Sequence, residues 1–197
     1  MNPKINFENL DSEKQDRIVF YAKVVYTDLK AQTENWKKYR NNRHVVRGIT
    51  HGNYDRIHTL SIPTGLVSKS VIEEKKKDSK FIPTKDHCYR PQFMMQMFMD
   101  KPDIFLSDFN VFLDYIIIAA TTILITPEEN EKLKNFTRNK KGQISIKVPT
   151  DRIYQEAEIE LFDIKGKRKW WETDLQKVNN YLITPKPYLL YEEAFLE

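Results

Sequence analysis

The sequence has little cysteine, little glycine and no long apolar run. Of 197 residues one is a cysteine, Cys88. A single thiol excludes an internal disulfide and any cysteine-rich zinc cage. Glycine numbers five, and neither GxGxxG nor GxxxxGK[ST] occurs. The glycine-rich cradle that holds the phosphates of ATP or a dinucleotide is missing, so those ligands are not expected. No apolar stretch approaches the roughly 18 residues that cross a bilayer; the longest, Tyr115–Ala120, is core-sized. The opening MNPKINFENLDSEK lacks the basic-then-apolar layout of a secretory leader, so a cytoplasmic location without a membrane partner is expected. There is no internal repeat and no low-complexity tract.

What is present suits a folded chain. Apolar residues make up 40% and can build a core, while 30% charged residues keep the surface solvated. The net charge of +4 is compatible with nucleic acid and is shared by many soluble proteins. Asp11–Tyr39 reads as one helix, capped by Asp11 or Ser12, with Ile18, Val19, Ala22, Val25, Tyr26 and Leu29 at helical spacing. Its end carries Trp36, Lys37, Lys38 and Arg40, with Arg43 and Arg47 following. Cations among aromatic rings suit a phosphate-contacting arm; a solvated helix end facing the negative pole of the dipole is the plainer reading. Gly48–Thr64 reads as a loop holding His51, Asp55 and His58, which do not form the HExxH pattern and read as polar surface.

Ser68–Lys77 reads as a short helix capped near Ser68 or Ser70. Phe81–His87 is an extended run limited by Pro83 to an edge position and closed by Pro91. Gln92–Asp100, rich in Met and Phe, reads as a core-filling helix rather than a binding groove, and Leu106–Ala119 as a second apolar helix. Thr121–Thr126 is a β-branched buried strand. Pro127 then opens a helix to Thr137, with Thr126 and Glu129 forming a capping box. That helix carries Asn130 in its first turn and exposes Lys132, Lys134 and Arg138. Beyond it, Gln143–Val148 alternates like a strand. Ala157–Ile164 and Lys169–Glu172 flank a hairpin signal whose basic tip includes Lys167, Arg168, Lys169 and Trp170. The tip suits backbone gripping and base stacking, or simply a solvated turn and a core tryptophan. Glu172–Tyr181 and Tyr188–Leu196 read as helices.

Asp86, His87 and Asn130 carry the chemistry. Hydrolysis of a phosphodiester needs an activated water and neutralisation of the phosphate's charge. A neutral imidazole can take the water's proton near pH 7. A carboxylate and an amide oxygen are hard ligands suited to Mg²⁺ or Mn²⁺. Neighbours on a strand point to opposite sides, so Asp86 and His87 could flank one phosphate.

The ordered set — TKDHCYRPQ, a β-branched strand, then TPEENEKL — resembles the HNH, or ββα-metal, endonuclease family and its small phage-type members. In that family a strand ends on an Asp-His or Glu-His pair, and a second strand leads into a helix with an Asn. The resemblance implies His87 as general base and Asp86 with Asn130 as ligands of one Mg²⁺ or Mn²⁺. It spans roughly residues 78–141.

The expectation is therefore an α+β protein with a ββα-metal core over 78–142, an N-terminal helical arm over 1–77 and a C-terminal β-rich lobe over 143–197. Its expected activity is metal-dependent DNA cleavage, with DNA as partner and a homodimer as a possible assembly. The alternatives are a non-catalytic nucleic-acid-binding or regulatory protein of phage origin, and an adaptor that uses the Met-Phe helix.

Overall fold

The computed structural model of the chain describes residues 3–137, 147–164, 166–179 and 186–193. It is an α+β protein. In chain order the first elements are α1 (Pro3–Glu8), α2 (Ser12–Ala31), α3 (Thr33–Tyr39), α4 (Arg43–His58), β1 (Ile62–Ser68) and α5 (Lys69–Lys77). Next come β2 (Thr84–His87), α6 (Pro91–Asp100), α7 (Pro102–Phe105), α8 (Phe109–Ala119) and β3 (Thr121–Ile125). The rest is α9 (Pro127–Thr137), α10 (Ile153–Glu156), β4 (Leu161–Asp163), a 3-10 turn at Trp170–Glu172, β5 (Gln176–Val178) and α11 (Lys186–Glu193). Two compact units result. One gathers Pro63–Cys88 and Thr122–Glu197; the other gathers Asn2–Ile62 and Tyr89–Thr121. The strand bearing Asp86-His87 and the helix bearing Asn130 thus share a unit, while the apolar insert between them belongs to the other.

The second unit is helical. Asp11 caps α2 by accepting from Lys14 N at 2.9 Å, and the helix buries Ile18, Ala22, Val25 and Leu29 at three- and four-residue steps. The single helix expected to Tyr39 is interrupted at Gln32, where α3 begins. The expected loop over Gly48–Thr64 is instead mostly helix. Asn42 caps α4 by accepting from His44 N at 3.0 Å, and Ile49, Asn53 and Ile57, four apart, are buried. Asn53 Nδ2 further donates to Ile49 O at 2.9 Å and to Asp28 Oδ2 at 2.7 Å. Packing and side-chain bonding outweigh the cost of Gly48 and Gly52, about 1 kcal/mol each relative to alanine. In α6, Phe93, Met94, Met95, Met97, Phe98 and Met99 are all buried. Phe98 meets Phe105, Phe112 and Tyr115 at 5.0–6.2 Å between centroids. The Met-Phe segment is core, which removes the adaptor reading.

The first unit is a five-stranded sheet ordered β2-β3-β1-β4-β5. β2 and β3, β1 and β4, and β4 and β5 pair antiparallel. Ile62 N bonds Ala120 O and Thr64 Oγ1 bonds Thr122 O, so β1 and β3 advance in the same sense and the sheet is mixed. Residues directly opposite on paired strands share a face. Lys85, His87, Leu124, Val67 and Phe162 therefore lie on one face, and Asp86, Ile123, Ile125, Ser68 and Leu161 on the other. The first face is covered by α5 and the 3-10 turn: Val67, Val71 and Ile72 pack with Phe81, Leu124, Phe162, Trp170 and Trp171. On the second, Ser68 bonds Glu129 of α9 and Asp86 bonds Tyr154 of α10.

The C-terminal strands depart from expectation. β4 pairs with β5, not with Lys169–Glu172, and within the helix expected over Glu172–Tyr181 the segment Gln176–Val178 is strand β5, residues 180 and 181 lying outside the described set. The reason is burial: Trp170 and Trp171 fold onto the α5 core, which takes their segment out of the sheet. Of the strand expected at Gln143–Val148, residues 143–146 lie outside the described set, and Lys147 and Val148 form a bend. Of the expected terminal helix, residues 194–196 also lie outside it.

Candidate functional site

Strand β2 is at one edge of the sheet. Its register against β3 sets Asp86 opposite Ile123 and His87 opposite Thr122. β3 runs directly into α9 through the capping box expected from sequence. Glu129 N donates to Thr126 Oγ1 at 3.2 Å, and Thr126 N donates to Glu129 Oε2 at 2.9 Å. The same carboxylate oxygen accepts from Ser68 Oγ at 2.6 Å. Ser68 Oγ in turn accepts from Val71 N at 3.3 Å, capping α5. One carboxylate thus ties the starts of two helices to strands β1 and β3. That clasp fixes where the first turn of α9, and so Asn130, stands.

Asn130 is half-buried, and its N–H closes the first turn on Thr126 O at 3.0 Å. Helix α9 packs against β2 and α10. Asp86, half-buried, accepts a hydrogen bond from the hydroxyl of Tyr154 on α10, a residue only 1% exposed. Asp86 and α9 therefore occupy one side of the sheet. His87, the last residue of β2, points to the other side, along with Lys85. An Asp carboxylate and an Asn amide both offer hard oxygen donors. The donor types fit Mg²⁺ or Mn²⁺. Among the described residues no three His, Cys, Asp or Glu side chains cluster in a metal-holding group.

The expected phosphate-contacting residues fall in both units. In the helical unit, Lys37 pairs with Glu34 at 2.8 Å, Lys38 lies over the Tyr39 ring, Arg40 and Arg47 are exposed, and Arg43 opens α4. Trp36 is a correction: it is 3% exposed, and its Nε1 donates to Asp100 Oδ1 at 2.7 Å. A ring committed to the core and to a partly buried bond is not a stacking platform for bases. In the sheet unit, Lys132 faces Glu158 at 3.5 Å. Lys167 Nζ donates to Asp174 O at 2.6 Å, Lys169 lies 3.7 Å from Glu172, and Arg168 is exposed. Trp170 packs edge-on to Trp171 at 5.3 Å over the α5 core, so it too serves packing first. Arg138 lies outside the described residues. His51 and His58 lie on α4 rather than on a loop, in edge-on and tilted ring contact with Tyr54, and His51 lies 3.7 Å from Asp55.

Sequence reasoning missed Tyr154 and Ser68 as partners of site residues. No local pattern marks Tyr154, which lies 68 positions from Asp86. Ser68 was legible as a cap but not as a donor to Glu129. No family profile, curated protein or solved structure matches this chain.

Proposed function

We propose that the sheet unit houses a metal-dependent DNA endonuclease site of the ββα-metal kind. One observation carries the reading: β2, ending on Asp86-His87, lies antiparallel to β3, and β3 passes through a capping box into an Asn-bearing helix packed on the Asp86 side of β2. Two antiparallel strands and a helix thus occur in the order the Asp-His and Asn motif requires. Asp86 and Asn130 would hold Mg²⁺ or Mn²⁺, which supplies charge neutralisation on the phosphate and its leaving oxygen. Tyr154 orients the Asp86 carboxylate, as outer groups do for metal ligands. His87, at the strand end and the sheet edge, would take the proton of the attacking water.

Incubation with plasmid and Mn²⁺ or Mg²⁺ tests this. Nicking that stops on chelation and in His87→Ala, with binding retained, is the expected result. The second reading is a non-catalytic nucleic-acid-binding or regulatory protein. It is favoured by the position of His87 on the sheet face opposite Asp86, and it predicts a salt-sensitive gel shift with no cleavage under any metal.

A further inference from the structure

Beyond the arm and the hairpin tip, a third set of cations lies on the sheet unit. Helix α5 ends in Lys75, Lys76 and Lys77, and Lys80 follows. Its apolar side, Val71 and Ile72, is buried on the sheet, which leaves the lysine end at the surface. Lys75 Nζ rests 5.4 Å over the Trp171 ring and donates to Ser79 O at 2.7 Å. This fastens the loop after α5 and the segment holding Arg168 to the same layer. Phe81, next to Lys80, packs into that layer as well. Lys85 lies on this face too, two residues from His87 on one side of β2. Several cations here have local partners: Lys77 pairs with Glu74 at 2.7 Å, and Lys177 pairs with Glu160. Lys76, Lys80, Lys85 and Arg168 are exposed, and none of their side chains forms an ion pair among the described residues; Lys80 N–H donates to Asp78 Oδ1 at 2.8 Å.

We propose that this face, from Lys85 and His87 at the sheet edge across the end of α5 to Arg168, is a docking surface for a nucleic-acid phosphate backbone, and that it binds by charge without base stacking. Trp170 and Trp171 within it are half-buried and turned edge-on to each other, and Trp171 seats Lys75, so the rings serve packing rather than receiving bases. Backbone contacts alone position a duplex and carry no sequence information. An anionic membrane is the less suitable polyanion, because interfacial helices need a free apolar face and that of α5 is buried.

This surface deepens the proposed nuclease function and rests on it for the identity of the polyanion. The test measures binding of the full chain to two labelled duplexes of unrelated sequence in EDTA, over a salt series, for the wild type and a Lys76→Gln/Lys80→Gln/Lys85→Gln/Arg168→Gln variant. Equal weakening on both duplexes, by about tenfold or more at low salt, is expected. The slope of log K against log salt should fall by about 0.9 for each cation that meets a phosphate. An unchanged denaturation midpoint confirms the fold; should the fourfold variant fail that check, the Lys76→Gln and Arg168→Gln single variants give the same reading at about one charge each. Unchanged affinity and slope overturn the surface, as does a loss confined to one sequence or tighter binding to phosphatidylserine vesicles than to duplex. Binding without metal-dependent cleavage keeps this surface and removes the nuclease reading. Cleavage with an indifferent fourfold variant does the reverse.

Discussion

Tyr154, on the short helix α10, donates a hydrogen bond to the carboxylate of Asp86 on the edge strand β2. The tyrosine is almost wholly buried and the bond partly so, and bonds to charged acceptors are the stronger kind. Tyr154→Phe keeps the ring's packing and removes only the donor. It should cost about 1.5–3 kcal/mol of stability in chemical denaturation. If Asp86 ligates a cation, the same variant should raise the Mn²⁺ concentration needed for half-maximal cleavage about tenfold or more. A variant with wild-type stability and metal dependence would show that the hydroxyl neither supports the fold nor orients the carboxylate.

Glu129 joins the caps of α5 and α9. Removing it leaves Ser68 Oγ and Thr126 N without their acceptor at partly buried positions. Glu129→Ala should destabilise the protein by about 2 kcal/mol, and Ser68→Ala by about 1–2 kcal/mol. Because the two share one bond, the double variant should cost less than the sum of the singles. Strict additivity in a urea-unfolding cycle would rule out the shared clasp.

Trp36 anchors α3 through Asp100, and both sit in the helical unit. Trp36→Ala should cost about 3–5 kcal/mol, whereas Trp36→Phe should cost about 1–2 kcal/mol for the lost bond. Nucleic-acid affinity of the folded Trp36→Phe protein should match the wild type. Weaker binding at an unchanged denaturation midpoint would return the ring to the interface.

Tyr115 gives the fold an alkaline limit. Burial, reinforced by nearby Asp114, raises its phenol above the ordinary value of 10.0. The folded state keeps this proton where the unfolded chain would release it. The contribution is therefore complete below pH 10 and is lost as pH rises through the folded value. Denaturation midpoints should fall above pH 10, and Tyr115→Phe should flatten that fall. An identical pH profile in the variant would assign the loss to other groups.

Local rules were enough for several elements. Thr126, Pro127 and Glu129 specify the start of α9, Ser68 that of α5, and Asp11 that of α2, because a cap and its first turn lie within three or four residues of each other. The β-branched run at Thr121 marks β3, and the Met-Phe helix reads as core for the same reason it packs as core. Local rules failed where distant burial prevailed. α4 forms despite Gly48 and Gly52 because Ile49, Asn53 and Ile57 have a neighbouring helix to meet. Trp170 leaves the sheet because the α5 core takes its ring.

The sequence by itself determined that this chain folds as α+β, that Asp86 and His87 alternate sides of one strand, and that Asn130 lies in the first turn of a capped helix; each follows from backbone geometry within a few residues. Only the tertiary structure decided that β2 lies against β3, that Tyr154 reaches Asp86 and Ser68 reaches Glu129, and that Trp36 is interior. Those outcomes depend on which faces pack together. That is a competition among buried surfaces far apart in the chain, and no local window contains it.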